Sequence, residues 1–242
     1  AYRAVHPPKK EIEAVSVVKV FTHRDQLFAH FSERKPDGLN LGVIGMWMPV
    51  YDELVIFHDP ATSNVKTSMA ILYHEGVHQY LHYAYGEVDM PRWFDEGTGD
   101  YFGGAEAGAD GVTIVENATR AGTITKIVNG EFAKQYSWTA PTLKALVSMS
   151  REEFYRETKW LVFQYTMAWS LVYWLRQGIG KESPYAGAID RYAEALRDGG
   201  SQAQAYEAAF GKIDMVALEK DWKAFWIDGE ARKKCRREIR TK

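Results

Sequence analysis

The chain carries one cysteine, Cys235, among its 242 residues. A lone thiol closes no intrachain disulfide and cannot build a cysteine-based zinc site. No stretch approaches the ~18 consecutive apolar residues of a transmembrane helix. Internal repeats and low-complexity tracts are absent as well, which excludes solenoids and fibrous folds. The formal net charge is only -2, so the chain lacks the strong field that draws a protein to nucleic acid. Its one dense cluster of charge is the ending ARKKCRREIRTK, with seven Lys or Arg and a single Glu. A basic run at a helix C-terminus complements the macrodipole and reads as a solvated helix end. The chain also lacks a first Met. It begins at Ala1, which reads as a processed or excised piece and points toward an extracytoplasmic, secreted or periplasmic setting.

Aromatics are plentiful, with 8 Trp, 14 Tyr and 11 Phe, and most are expected to fill a core. Residues 14–22, AVSVVKVFT, are β-branched and short, a strand. Residues 24–35 place Leu27, Phe28 and Phe31 at helical spacing, and Pro36-Asp37-Gly38 ends that helix. LGVIGMWM and YDELVIFH, at 41–48 and 51–58, read as two strands joined at Pro49. A long helix over 65–84 follows the cap residues Thr62, Ser63 and Asn64 and stops at Gly86. A second helix starts near Pro91 and runs to Phe102. The Gly-, Thr- and Val-rich stretch 103–136 reads as loop with a hairpin around 112–128. Beyond 139 the pattern is helical, with a capping box at Ser150 and Glu153 and helices at 160–177, 184–198, 201–210 and 213–230. Strands early and helices late make an α+β chain. The expected organisation is an α/β lobe over 1–103 and a mostly helical lobe over 104–242, one catalytic unit with a cleft between them.

One segment carries chemistry. His74 and His78, in YHEGVHQ, stand four apart on the long helix. At ~100° and ~1.5 Å per residue they share a face one turn apart, where two imidazoles reach one ion. Glu75 then lies beside the ion, placed to deprotonate a bound water without ligating the metal. Taken alone, the pair also fits a half-buried helix that happens to carry two histidines. A catalytic zinc needs a third protein ligand and one open position. Glu96, in RWFDEGTGDYF, supplies it from the next helix. Trp93 and Phe94 anchor that helix, and Gly97 and Gly99 permit close approach. Asp100, four after Glu96, can accept the outer N–H of a ligand histidine. His82 extends the stripe but lies ~12 Å from His74 along the helix, too far for the same ion. His58 is a weaker cleft candidate, and His6, His23 and His30 have no evident partners.

With Glu96 in WFDEG downstream of HEGVH, the chain resembles the gluzincin zinc metallopeptidases. It looks closest to bacterial peptidase MA-like domains, many of them of unknown function. VKVFTHRDQLFAHF, GMWMPVYDELVIFHD, SREEFY, YTMAWSLVYWL and AFGKIDMVALEKDWKAFW also look like that group, so the resemblance spans most of 15–227. It implies a zincin-like fold whose antiparallel edge strand, within 41–58, binds extended peptide, with Gly45, Met46 and Trp47 as the contacting residues. It implies one zinc on His74, His78 and Glu96, with Glu75 as general base. It also implies an oxyanion-stabilising Tyr, for which Tyr165 is the best match and Tyr136 and Tyr101 are competitors. The chain departs from the aminopeptidase branch. Where that branch grips the substrate amine with the Glu of Gly-x-Met-Glu-Asn, this sequence reads GMWMP, and Glu53 is out of register. The implied activity is endopeptidase cleavage of a peptide or protein. The alternative is a silent zinc- or peptide-binding module of the same fold.

Overall fold

The computed structural model describes residues 1–34, 43–109, 111–136 and 138–240. The chain is α+β and divides into two compact units, 1–86 and 87–242.

The first unit begins with a short helix, α1 (Tyr2–Val5), then β1 (Val17–Phe21), α2 (Arg24–Arg34), β2 (Gly45–Met48), β3 (Glu53–Phe57) and α3 (Val65–Tyr85). The strands form one sheet in the order β1-β3-β2, with β1 parallel and β2 antiparallel to β3. β2 is therefore an edge, as the resemblance implies. Its link to β3 is a 3₁₀ turn at Pro49–Tyr51 that closes on Asp52 with φ 51°. The stop at Pro36-Asp37-Gly38 and the first two residues of 41–48 lie outside the described residues.

Side-chain alternation sorts the sheet into two faces. Met46, Met48 and Val55 pack on Leu27 and Phe31 of α2. Burying side chains of this size stabilises the fold by roughly 1.5–3 kcal/mol each. Gly45, Trp47, Leu54 and Ile56 alternate to the other face, where α3 lies against β2 and β3. A Cβ on Gly45 would stand 2.3 Å from Ile71 Cγ2, so the missing side chain is what lets β2 approach α3.

α3 starts where the Asn64 side chain accepts the Thr67 N–H at 3.2 Å and ends at Gly86 with φ 78°. The N-terminal segment is laced to this helix. Tyr2 donates to the Tyr73 carbonyl at 2.9 Å, Tyr80 donates to the His6 carbonyl, and the fully buried His6 ring meets Tyr85 Oη at 2.8 Å. Gly76 sits under Tyr2, whose hydroxyl would stand 3.0 Å from an added Cβ.

The second unit opens with α4 (Arg92–Gly103), for which Pro91 is the capping residue rather than part of the first turn. A hairpin, β4 (Ala105–Gly108) and β5 (Gly111–Ile114), comes next. It lies earlier than the hairpin expected around 112–128, because 118–128 is a helix, α5 (Ala118–Val128). The β-branched content of that stretch suggested strand. What decides is the Asn117 cap, whose side chain accepts the Arg120 N–H at 3.1 Å, and the burial of Ala121, Ile124 and Ile127 at helical spacing. The rest is helical: α6 (Glu131–Tyr136), α7 (Leu143–Ser148), α8 (Arg151–Tyr155), α9 (Leu161–Tyr173), α10 (Ala188–Arg197), α11 (Gln202–Phe210), α12 (Met215–Ile227) and α13 (Gly229–Arg240). Both helices of α4 and α9 are almost wholly buried and pack on each other. Gly97 stands at their crossing, where a Cβ would lie 2.8 Å from the Ala168 carbonyl oxygen.

The basic ending is not simply a solvated helix end. α13 docks through Arg232 and Arg236, whose guanidinium groups lie 2.9 and 2.8 Å from Glu116. Cys235 is buried and donates to the Gln177 carbonyl at 3.2 Å. Lys233 and Lys234, on the same helix, stay exposed.

Candidate metal centre

α3 carries His74, Glu75 and His78 on one stretch. The two imidazole centroids are 4.8 Å apart with ring planes at 74°. Glu75 turns toward the sheet, and its Oε2 accepts the backbone N–H of Trp47 at 2.9 Å. That N–H belongs to the edge strand and points away from β3, so the carboxylate covers one donor of the edge proposed to take peptide. His82 packs tilted against Trp47 and edge-on to Tyr83, at 5.8 and 5.4 Å between centroids. His58 Nδ1 meets Ser68 Oγ at 2.9 Å and ties the end of β3 to the start of α3. His6 and His30, which the sequence left without partners, have them in Tyr85 and Glu53.

Met46 sends its side chain into the α2 face, while Gly45 and Trp47 face α3. Glu53 opens β3 opposite Met48 and is almost fully buried. It accepts from Lys19 and from Arg34 Nη2 at 3.2 Å and meets His30 Nε2 at 2.9 Å. Burial alone would raise its pKa, but the hydrogen bonds from Lys19, Arg34 and His30 overcome this and hold the carboxyl below the ordinary range.

In α4, Trp93 and Phe94 are buried as the expected anchors, with Trp93 Nε1 donating to Tyr192 Oη at 3.1 Å. Glu96 is 7% exposed, and Tyr155 at the end of α8 donates to its Oε1 at 2.7 Å. Tyr165, from α9, is also beside Glu96 and Tyr155. Burial first, then the negative charge of Glu96, pushes the pKa of both hydroxyls far up, so each stays a proton donor. Asp100, one turn past Glu96, is ion-paired to Arg120 at 2.8 Å. Arg120 also bonds Thr166 Oγ1 and the Val162 carbonyl, each at 3.2 Å, and lies 5.8 Å over the Tyr165 ring. The two competitors of Tyr165 belong elsewhere. Tyr136 is exposed and packs on Phe132 and Trp160, and the Tyr101 hydroxyl accepts from Gln177 at 2.7 Å.

Among the described residues, His74, His78 and Glu96 form a group that could hold a metal ion, each offering one ligand atom, with those atoms all within 4.8 Å of one another. Two imidazoles and one carboxylate are the donor set of a three-ligand zinc site with room for a water. Tyr155 and Arg120 are additions that sequence reading missed. The capping box that builds α8 was visible, but no spacing rule links its last residue to Glu96, 59 positions away. Arg120 was hidden by reading its helix as a hairpin.

A family model described as protein of unknown function (DUF1570) matches residues 68–183. The matched stretch contains His74, Glu75, His78, Glu96, Asp100, Tyr155 and Tyr165. No curated protein matches the chain.

Proposed function

We propose that the protein is a zinc-dependent peptidase of the gluzincin type, with a zincin-like fold, acting within peptide chains. The observation that carries the reading is the gathering of His74, His78 and Glu96 donor atoms within 4.8 Å, with Glu75 next to the first of them in sequence. His74, His78 and Glu96 would hold one zinc, which when bound supplies Lewis-acid polarisation and a water of lowered pKa. Glu75, through its other oxygen Oε1, would take a proton from that water and return it to the leaving amine. Its Oε2 stays anchored to Trp47 N–H and fixes the carboxylate plane. Tyr165, whose hydroxyl is hydrogen-bonded to Glu96 and Tyr155, would have to turn it from that cluster toward the developing oxyanion. Asp100 orients a ligand histidine, and Arg120 holds Asp100 in place. The β2 edge, at Gly45, Met46 and Trp47, aligns the peptide through main-chain bonds.

Endopeptidase action is favoured over amine clamping by the state of Glu53. Its carboxylate is already engaged by Lys19, His30 and Arg34, so it does not serve as the acid that grips a free amine.

The test is metal content and peptide cleavage on wild type and Glu75→Gln, which keeps size and ligands and removes the base. The expected result is about one zinc in each protein, with cleavage in the wild type alone. Zinc in both and cleavage in neither turns the reading to a silent zinc- or peptide-binding module. No zinc in the wild type removes it.

A further inference from the structure

Tyr155 stands at the end of a helix only five residues long, yet its position is firmly determined. The Ser150 side chain accepts the Glu153 N–H at 3.2 Å and Glu153 returns the bond to Ser150 N at 2.8 Å, which closes the capping box that starts α8. Phe154 is fully buried and packs on the Tyr165 ring at 5.7 Å. Arg151 lies 5.9 Å over the Tyr155 ring. This scaffolding delivers one hydroxyl to one carboxylate oxygen, Glu96 Oε1, at 2.7 Å.

An O–H to carboxylate bond of that length is charge-assisted and roughly twice as strong as a neutral one. It acts on a torsion that is otherwise poorly defined, because the last side-chain angle of a glutamate is broad and two-fold. A phenol has a single proton, so the bond also distinguishes the two oxygens.

We propose that Tyr155 is a positioning residue for Glu96: its hydroxyl engages Oε1, sets the plane of the carboxylate and presents Oε2 as the single atom for the metal. The proposal rests on the reading of Glu96 as a ligand. Holding the carboxylate to one oxygen keeps the coordination number low, and that preserves the open position a catalytic zinc needs. Tyr165 hydrogen-bonds both Glu96 and Tyr155 and completes the same cluster.

The experiment titrates Zn2+ alone into metal-free wild type and Tyr155→Phe against a chromophoric chelator, and records the visible spectrum of each protein with Co2+. The expected result is a zinc affinity about 10–100-fold weaker in the variant, the range seen when an outer-shell partner is lost, with a shifted cobalt band and metal-free melting close to wild type. Equal affinity overturns the proposal. So does weaker binding with an unchanged cobalt band, which would make Tyr155 only a support for α8. A wild type that binds no zinc overturns both this and the proposed function, so the two failures are told apart. If Tyr155→Phe does not fold, 3-fluorotyrosine at 155 keeps the shape and strengthens the donor. The cobalt band then moves if the proposal holds, and an unmoved band sinks it.

Discussion

The carboxylate of Glu75 and the backbone N–H of Trp47 are joined by a 2.9 Å hydrogen bond between helix and sheet edge. This contact links the motif helix to the strand that runs beside it, and it depends on a third residue. Gly45 lets the strand come close enough, since any side chain there would meet Ile71 at 2.3 Å.

Gly45→Ala is therefore expected to push β2 off α3 and destabilise the protein by about 1–3 kcal/mol, the usual range for overpacking. The clash is with a side chain, so Ile71→Ala in the same chain should recover part of the loss. Chemical denaturation of the two single variants and the double variant measures this. Additive losses would show that the contact is not the limiting one.

Gly97→Ala meets backbone instead, the Ala168 carbonyl at 2.8 Å, and nothing can move aside without shifting α9. We expect a loss at the upper end of the same 1–3 kcal/mol range or beyond it. No small change on α9 should rescue it, because residue 168 is already alanine. A melting temperature within a degree or two of wild type would contradict the helix crossing described above.

Glu53 gives a pH dependence with a definite sign. Its folded-state pKa is below the unfolded value, so the native state binds fewer protons. Its stabilising contribution is complete above the ordinary glutamate range and fades as pH falls through the lower folded value. Denaturant midpoints for wild type and Glu53→Gln should differ most at neutral pH and converge in acid. A gap that stays constant down to the acid limit would count against the Lys19–His30–Arg34 cage.

Arg120→Met leaves Asp100 without its 2.8 Å partner on a helix where it is 9% exposed. The expected loss is roughly 1–3 kcal/mol, the range for losing one charged hydrogen-bonding partner of a buried group. Lysine at 120 should not restore it, because a single ammonium cannot reach Asp100, Thr166 and the Val162 carbonyl together. Thermal denaturation of Arg120→Met and Arg120→Lys checks both statements.

Chelation offers a test of the metal reading that needs no substrate. Bound zinc stabilises the folded state by mass action. A chelator should lower the melting temperature of wild type and leave that of His78→Ala unchanged. An equal response from both proteins would argue against zinc at these residues.

Much of this arrangement could be read from the chain because it rests on local rules. The 21-residue motif helix has its cap at Asn64 and its stop at Gly86, and a four-residue spacing puts His74 and His78 together. β2 and β3 are short apolar runs on either side of a turn at Pro49. What escaped reading is of two kinds. Residues 118–128 are rich in Thr, Ile and Val, and it is the Asn117 cap together with burial against α9 and α12 that makes them a helix. Tyr155 and Arg120 reach Glu96 and Asp100 across the fold, and distances of that sort are set by tertiary packing that leaves no periodic trace.

The docking of α13 bears on where this domain can be cut. Glu116 has a side chain only 4% exposed, and Arg232 and Arg236 supply its positive partners from the far end of the chain. A shorter fragment ending at α12 would look tidy on a secondary-structure map, since it would drop only a highly charged extension. It would leave a carboxylate shut away from water with its counter-charges gone, and it would uncover the surface that Cys235 and Ile239 close. For expression or fusion, the basic ending has to be treated as interior.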